Sequence, residues 1–174
     1  MVQQINEHVS RYSPIDRFAT AVFVVLSRDS GEMMYVNAGH NAPFLSSCGA
    51  TTLLEATGLP LGLFADAHFE TRTAAIDLGG TLLLFSDGLT DSIQGEHPNN
   101  RLRDAFADSA TQTVANLKSL VDSKFNEDDV SILVLKRMAG ATSSGMSGKE
   151  AYVRKASETD TLPIGAVRNG RALS

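Results

Sequence analysis

Two groups of acidic residues stand beside apolar runs, in positions where carboxylates can hold a cation. Asp87 comes just after the apolar run at residues 81–85, and Asp128 and Asp129 come just before the apolar run at residues 130–135. If these runs form antiparallel neighbouring strands, both groups reach one edge of the sheet, and carboxylate oxygens suit Mg²⁺ or Mn²⁺. The alternative is that the first group lies in a simple turn and the second in a solvated loop.

The remaining sequence must supply the sheets that position these groups. Apolar runs that alternate with turn residues predict strands. They lie at residues 18–26, 33–38, 44–46, 51–55, 69–76, 81–85 and 130–135. Tight hairpins are expected around Cys48 and Gly49, and again at Gly79 and Gly80, where the second pair joins two successive strands.

Helices are predicted at the start and in the later part of the chain. Residues 2–12 carry Val2, Ile5 and Val9 on one helical face, and Pro14 ends the pattern. A short helix is expected at residues 101–107, and a capping box begins another one. The capping box is the run from Ser109 to Gln112, and its helix carries an apolar stripe of Val114, Leu117, Leu120, Val121 and Phe125. Strands first and helices late indicate an α+β layered domain.

Composition excludes several classes of protein. The chain has 174 residues, 43% of them hydrophobic, and a net charge of −5, which gives no basic surface for nucleic acid. No signal peptide is visible, and the longest apolar stretch, residues 21–26, is far too short to span a membrane. The only cysteine, Cys48, allows no internal disulfide and is interpreted as inert. We therefore expect a soluble cytoplasmic protein.

The chain divides near Arg137. Residues 1–137 are predicted to form one folded body, and residues 138–174, which are rich in small and polar residues, a mostly disordered tail. Limited proteolysis should therefore cut first beyond Arg137.

Five motifs in order resemble those of one protein family. They are Phe18-Ala19-Thr20, the run from Tyr35 to Pro43, Gly58-Leu59-Pro60-Leu61-Gly62, the run from Phe85 to Asp91, and Asp128-Asp129-Val130-Ser131. Together they resemble the SpoIIE/RsbU class of metal-dependent (PPM-type) serine/threonine phosphatases. The resemblance implies an α/β/β/α sandwich and two Mn²⁺ or Mg²⁺ ions held by aspartates, with a bridging water as the nucleophile.

The resemblance also implies roles for individual residues. Asp87 matches a metal-binding aspartate, and Asp128 matches the first aspartate of a second metal-binding motif. Ser131 stands where the family usually has Thr, which keeps the hydroxyl. Asp129 is not expected to touch the metal, and Asp91 is not expected to be a main ligand.

His40 lies in a turn after a strand and matches a signature position of the same family. It is a candidate for a catalytic or metal-binding role. In such a turn, however, a histidine is more often held by hydrogen bonds in a structural role, which is the interpretation we favour. The run from Gly58 to Gly62 lacks the lysine and the helix of a phosphate-binding loop, and we interpret it as a turn.

One motif of the family is absent from the sequence. It is an early Asp-x-x-Gly-His-Gly-like segment whose aspartate bridges both metals, so we expect the sandwich to be incomplete, lacking its N-terminal third. Within a complete domain, the resemblance implies hydrolysis of phosphoserine or phosphothreonine in a regulatory protein of the anti-sigma-factor-antagonist kind. Alone, the chain is expected to be weak or inactive. The alternative is a non-catalytic remnant that binds proteins in a partner-switching pathway.

Overall fold

The computed structural model describes residues 1–14, 17–93, 97–122 and 129–138, and the backbone of Arg154 and Lys155. Within these ranges the helices are α1 (Val2–Tyr12), α2 (Asp87–Asp91), α3 (Pro98–Asp104) and α4 (Ala110–Leu120). The strands are β1 (Ala21–Leu26), β2 (Glu32–Ala38), β3 (Phe44–Ser47), β4 (Ala50–Leu53), β5 (Arg72–Ala75), β6 (Thr81–Phe85), β7 (Ser131–Lys136) and β8 (Arg154–Lys155).

The strands form two antiparallel sheets. The first sheet has the order β1-β2-β5, and the second has the order β4-β3-β6-β7-β8. One core lies between the sheets and is built from Met33, Tyr35, Leu45, Leu54, Ile76 and Leu82. The other lies between the second sheet and the helices α2 to α4, and its members include Phe44, Leu83, Phe85, Leu89, Leu102 and Leu117. The α+β layered fold predicted from the sequence is confirmed.

Strand β6 is buried on both faces because alternate side chains enter the two cores. Leu83 and Phe85 enter the core beneath the helices, and Leu82 enters the core between the sheets. β6 pairs antiparallel with β7, with Phe85 opposite Ile132. The expectation that these two strands are antiparallel neighbours is therefore confirmed, and the end of β6 lies beside the start of β7.

The prediction of a tight hairpin at Gly79 and Gly80 is wrong. β5 pairs with β2, whereas β6 pairs with β3 and β7, so the two glycines carry the chain from one sheet to the other. Both glycines are hydrogen bonded to the backbone of Arg137, just beyond the end of β7. The Gly79 amide donates to the Arg137 carbonyl oxygen, and the Arg137 amide donates to the Gly80 carbonyl oxygen. The two glycines do lie at a turn, but packing across the molecule determines which strands pair.

Helix α1 has its predicted extent but docks differently. Val2, Ile5 and Val9 are only half-buried, whereas Asn6 is fully buried. The Asn6 amide donates to the carbonyl oxygens of Phe64 and Ala65, at 2.9 and 3.2 Å, and its oxygen accepts from Gly62 N at 2.9 Å. The helix is therefore anchored by a polar side chain as well as by its apolar face.

The later helices begin near their predicted starts. Ser109 Oγ accepts from Gln112 N at 3.0 Å, as a capping box requires, but the Gln112 side chain donates to Asn116 instead of reaching back. Helix α3 begins at Pro98, three residues earlier than predicted, because proline is well suited to a first helical turn. Helix α2 was not predicted.

The Arg137 side chain joins the two sheets at the end of the molecule far from Asp87. The Arg137 guanidinium donates to the carbonyl oxygen of Ile76 at 2.9 Å and to that of Asp29 at 2.6 Å. Asp29 lies in the turn between β1 and β2, so Arg137 fastens the first sheet to the last residues of β7.

Among the described residues, no helix has the length and apolar character needed to cross a membrane. The predicted tail at residues 138–174 lies outside the described residues, apart from Met138 and the backbone pairing of Arg154 with Ile132 and of Lys155 with Ser131.

Candidate functional site

Ser86 joins the end of β6 to the start of β7. Its amide donates to the carbonyl oxygen of Ser131 at 3.0 Å, and Ser131 N donates back to Ser86 Oγ at 2.9 Å. The same hydroxyl donates to the carbonyl oxygen of Asp129 at 3.0 Å. Three short hydrogen bonds therefore hold together the two backbone segments that carry the predicted acidic residues.

Asp87 begins helix α2 directly after this junction. Its side chain is exposed, and Oδ1 accepts a hydrogen bond from Gly88 N at 3.0 Å. Gly88 itself is buried. Within the described part of the chain, the second carboxylate oxygen of Asp87 has no hydrogen-bond donor and faces solvent.

The other acidic candidates lie around this edge. Asp129 and Ser131 are exposed at the start of β7. Asp91 is exposed one helical turn after Asp87, on the same side of α2. Asp128, the second predicted ligand, lies outside the described residues, next in the chain to Asp129.

His40 lies in the turn after β2 and reaches across to the second sheet. Its Nε2 atom lies 3.1 Å from the carbonyl oxygen of Phe85, and its Nδ1 atom lies 2.9 Å from Thr20 Oγ1. Both ring nitrogens are thus engaged by the protein. This arrangement supports the structural interpretation of His40.

Asn37 holds the backbone of the same turn. Its side chain is fully buried; Oδ1 accepts from His40 N at 2.8 Å, and Nδ2 donates to the carbonyl oxygen of Leu54 at 3.1 Å. Its own amide donates to Thr57 Oγ1 at 3.0 Å. Every polar atom of Asn37 that would otherwise be stranded in the core is therefore satisfied.

The loop from Gly58 to Gly62 supports the turn that carries His40, and it is hydrogen bonded to the segment that precedes β1. Leu61 and Ala19 exchange two backbone hydrogen bonds of 2.7 and 2.9 Å, and the next element of the described chain after the loop is the strand β5, not a helix. Its interpretation as a turn, not a phosphate-binding loop, fits this geometry.

The residues at the edge suit a hard divalent cation in kind. Carboxylate oxygens are the ligands such cations prefer, and Asp87 presents one without a hydrogen-bond donor. Across the described residues, however, no three His, Cys, Asp or Glu side chains converge on one point. The described part of the chain thus supplies a fraction of a metal site, with Asp87 as its clearest member.

Cys48 lies at the opposite end of the second sheet. Its thiol donates to Asp77 Oδ2 at 3.0 Å, and Ser47 Oγ donates to the same oxygen at 2.6 Å. The hydrogen bond to Asp77 raises the pKa of the Cys48 thiol. The bonds from Ser47, first, and from Cys48 lower the pKa of Asp77. A thiol held protonated in this way is a poor nucleophile, which agrees with the inert role predicted for it.

Sequence reasoning gave no role to two residues of this region, Thr20 and Ser86. Both are parts of the motifs that carried the family resemblance, but a single sequence does not show which hydroxyl bonds to which partner. A signal for Ser86 was its place between an apolar strand and an acidic residue.

The fold and the motifs define the class of protein. A family model described as "Stage II sporulation protein E (SpoIIE)" matches residues 1–138, so the chain belongs to the SpoIIE family. This is the family that the five motifs indicated.

Two curated relatives come from Bacillus subtilis. Phosphoserine phosphatase RsbP is 30% identical over 105 residues, which are 60% of this chain and 25% of that protein. Phosphoserine phosphatase RsbU is 26% identical over 149 residues, 79% of this chain and 44% of that protein. The chain thus spans less than half the length of either relative.

Solved structures share the fold. The RsbU and RsbW domains of Rv1364c from Mycobacterium tuberculosis superpose with a TM-score of 0.64 at 26% identity, covering 78% of this chain and 40% of that one. The manganese-presoaked phosphatase domain of SpoIIE from Bacillus subtilis gives 0.61 at 17% identity, covering 80% of this chain and 65% of that one. The PPM-type sandwich inferred from the motifs is confirmed by these superpositions.

Proposed function

We propose that this chain contributes part of the active site of a metal-dependent protein phosphatase that hydrolyses phosphoserine or phosphothreonine. In this proposal Asp87 and Asp128 are metal ligands, and the metals are two Mn²⁺ or Mg²⁺ ions in a complete domain. The solved SpoIIE domain was presoaked with manganese, and the solved structure of RsbX is a complex with magnesium, which supports this choice of ions.

The observation that carries the proposal is the pairing of β6 with β7. Ser86, which precedes Asp87, is hydrogen bonded to both Ser131 and Asp129, so the backbone just before Asp87 and the backbone just after Asp128 are held together. Neighbouring strands of a sheet lie about 4.8 Å apart, a separation that lets carboxylates from both strands reach a common cation.

The chain's own residues have two tasks in this proposal. Asp87 and Asp128 hold the cations, which when bound supply the Lewis acidity that activates water and neutralises the phosphoryl charge. Ser86 keeps the strand ends together so that both carboxylates are oriented before the substrate arrives. Because the electrostatic effect depends on prearranged groups, loosening this junction should slow the reaction as well as weaken metal binding.

The substrate we propose is a phosphorylated regulatory protein of the anti-sigma-factor-antagonist kind. The Rv1364c structure joins an RsbU domain to an RsbW domain, and RsbU and RsbP are phosphoserine phosphatases. A protein substrate also suits a site whose residues, Asp87, Asp129 and Ser131, are exposed where β6 ends and β7 begins. Complete activity is proposed to require a preceding segment that carries the family's first metal-binding motif.

The experiment that tests the proposal joins such a segment, taken from a SpoIIE-family relative, to Met1. The fused protein is assayed on a phosphoserine protein and on para-nitrophenyl phosphate, with Mn²⁺ and with EDTA. Asp87→Asn and Asp128→Asn should each lower activity at least about 100-fold, because they keep size but remove the anionic ligand. Asp108→Asn, at an exposed carboxylate before α4, is the matched control and should be silent.

Two outcomes would count against the proposal. Near-full activity of either Asn variant would remove that residue from the site. A folded fusion that binds Mn²⁺ but does not turn over substrate would instead favour the alternative function, a non-catalytic module that binds partner-switching proteins.

A further inference from the structure

Thr20 and His40 connect the first sheet to the backbone that precedes Asp87. The Thr20 hydroxyl lies 2.9 Å from His40 Nδ1, and His40 Nε2 lies 3.1 Å from the carbonyl oxygen of Phe85. Only Ser86 separates Phe85 from Asp87. A continuous line of hydrogen bonds therefore runs from the residue before β1 to the Phe85 carbonyl, two residues before the candidate metal ligand.

The chemistry of the partners fixes the direction of each bond. A carbonyl oxygen can only accept, so Nε2 carries the hydrogen that meets Phe85. In the neutral ring Nδ1 is then an acceptor, and the Thr20 hydroxyl donates to it. Thr20 thus favours the one tautomer that can hold the Phe85 carbonyl.

The Phe85 carbonyl needs this donor because the sheet no longer provides one. Ser86 faces β7, where it bonds to Ser131, so the Phe85 carbonyl faces the side of β3. Strand β3 begins at Phe44, which pairs with Leu83. Phe85 lies two residues further along β6, where the pairing with β3 has already ended. The His40 ring takes the place of the missing strand. Phe85 is buried, and an unsatisfied buried carbonyl is costly.

We propose that Thr20 and His40 are positioning residues that hold the turn from Phe85 to Asp87 and so orient the Asp87 carboxylate toward the metal. The proposal rests on the proposed function in treating Asp87 as a metal ligand. It assigns His40 a role through its neighbour's backbone and not through contact with substrate or metal.

The placement of the pair makes this role separable from folding. Thr20 is exposed, so exchanging its hydroxyl for a methyl group removes no core packing. The turn that carries His40 is held independently by the buried Asn37. A change at Thr20 should therefore act on the His40 ring and on the Phe85 turn before it acts on the fold.

The test uses the full 174-residue chain, labelled with ¹⁵N, and the variants Thr20→Val and Thr20→Ser. Ring nitrogen shifts report the His40 tautomer, and amide hydrogen exchange is compared at Gly88 and Leu89 and at the remote Leu45. Titration with Mn²⁺ alone is followed by paramagnetic broadening of the Gly88 resonance. These readouts do not require an active enzyme.

In the wild-type chain we expect the Nε2–H tautomer. Thr20→Val should mix the tautomers, speed exchange at Gly88 and Leu89 but not at Leu45, and raise the Mn²⁺ concentration for half-broadening about 10-fold. Thr20→Ser, which keeps the hydroxyl, should restore all three. In a His40→Gln background Thr20→Val should have no additional effect, because its influence passes through the ring.

The proposal is overturned if Thr20→Val leaves the tautomer and the exchange at Gly88 unchanged, or if it speeds exchange equally at Leu45. If Mn²⁺ broadens Gly88 neither in the wild-type chain nor in the fused protein that carries the preceding segment, the assignment of Asp87 as a ligand fails. The proposal that the pair orients a metal ligand then fails with it. The tautomer and exchange data would still show separately whether the pair holds the turn.

Discussion

Gly39 and Pro60 lie so close together that no side chain fits between them. A Cβ atom on Gly39 would stand 2.6 Å from Cδ of the Pro60 ring, and Gly39 has a φ of +67°. Both the space and the backbone conformation therefore require glycine. Because His40 follows directly, this contact sets where the ring begins its reach to the second sheet.

Replacement of Gly39 by alanine should separate these two requirements. Gly49 has a similar φ of +76°, but no atom lies within 4 Å of the position of its Cβ. Gly49→Ala should therefore cost only the left-handed conformation, about 1 kcal/mol. Gly39→Ala should cost about 3 kcal/mol, since the clash adds to it. Urea unfolding measures both, and equal losses would show that the Pro60 ring yields freely.

The anchoring of α1 by Asn6 gives a second prediction. Asn6→Leu keeps the number and branching of the side-chain heavy atoms but leaves Gly62 N and the carbonyl oxygens of Phe64 and Ala65 without their partner. The free energy of unfolding should fall by about 3 kcal/mol. Gln4→Leu, at an exposed position of the same helix, is the control and should change it by less than about 0.5 kcal/mol. A tolerated Asn6→Leu would mean that the apolar side of α1 is sufficient.

Strand β1 is predicted to drive self-association of this chain. In the described residues it is the outer strand of the first sheet, and Val25 and Met34 on the sheet's outer face are 59% and 50% exposed. Exposed apolar edge strands promote association. Val25→Lys should therefore lower the apparent mass in light scattering without loss of stability. The side chain of the neighbouring residue, Val24, packs against the core between the sheets, so Val24→Lys should unfold the protein. Unchanged association of Val25→Lys would direct attention to another surface.

The pair of Cys48 and Asp77 predicts a pH dependence of thiol reactivity. Because the hydrogen bond to Asp77 raises the pKa of Cys48, the thiol stays protonated to higher pH than an ordinary cysteine. Alkylation by iodoacetamide at pH 8.5 should be slow, and Asp77→Asn should speed it several-fold by removing the negative charge. Identical rates in the two proteins would contradict this.

The same pair has a predictable effect on stability. Asp77 has a lowered pKa in the fold, so its contribution is present above its ordinary pKa and is lost as the pH falls through the lower folded value. Cys48 has a raised pKa, so its contribution is present below its ordinary pKa and is lost as the pH rises through the higher folded value. Both groups are at the surface, so each effect should be small.

The sequence was most informative where local signals and burial agree. Residues 81–85 were predicted as a strand and form β6 with the same bounds, because an apolar run buried on both faces needs no alternation to be recognised. The acidic residues flanking the two apolar strands likewise indicated the edge at which Asp87 lies. These features depend on neighbours in sequence, which a single chain displays.

Features that depend on distant partners could not be predicted in the same way. Gly79 and Gly80 have the form of a hairpin turn, but the strands on either side bond to different sheets. The link from His40 to Phe85 spans 45 positions, and nothing in either local sequence specifies it. Asn6 was passed over because a polar residue on a helix is usually solvated, and only the loop it meets makes it a core residue.

The pairing order of the strands also has a consequence for how the protein is made. Among the described residues, the strands of the first sheet all end by Ala75, so this sheet can close while the remainder is still being synthesised. In the second sheet, β6 can pair at once with β3, which is already made, but it must wait for residues 132–136 before it gains its second partner, β7. Asp87 therefore leaves the ribosome long before the strand that fixes its surroundings. A nascent chain stalled before Ser131 would carry a closed first sheet and an unassembled site, with the apolar surface of β6 open to chaperones.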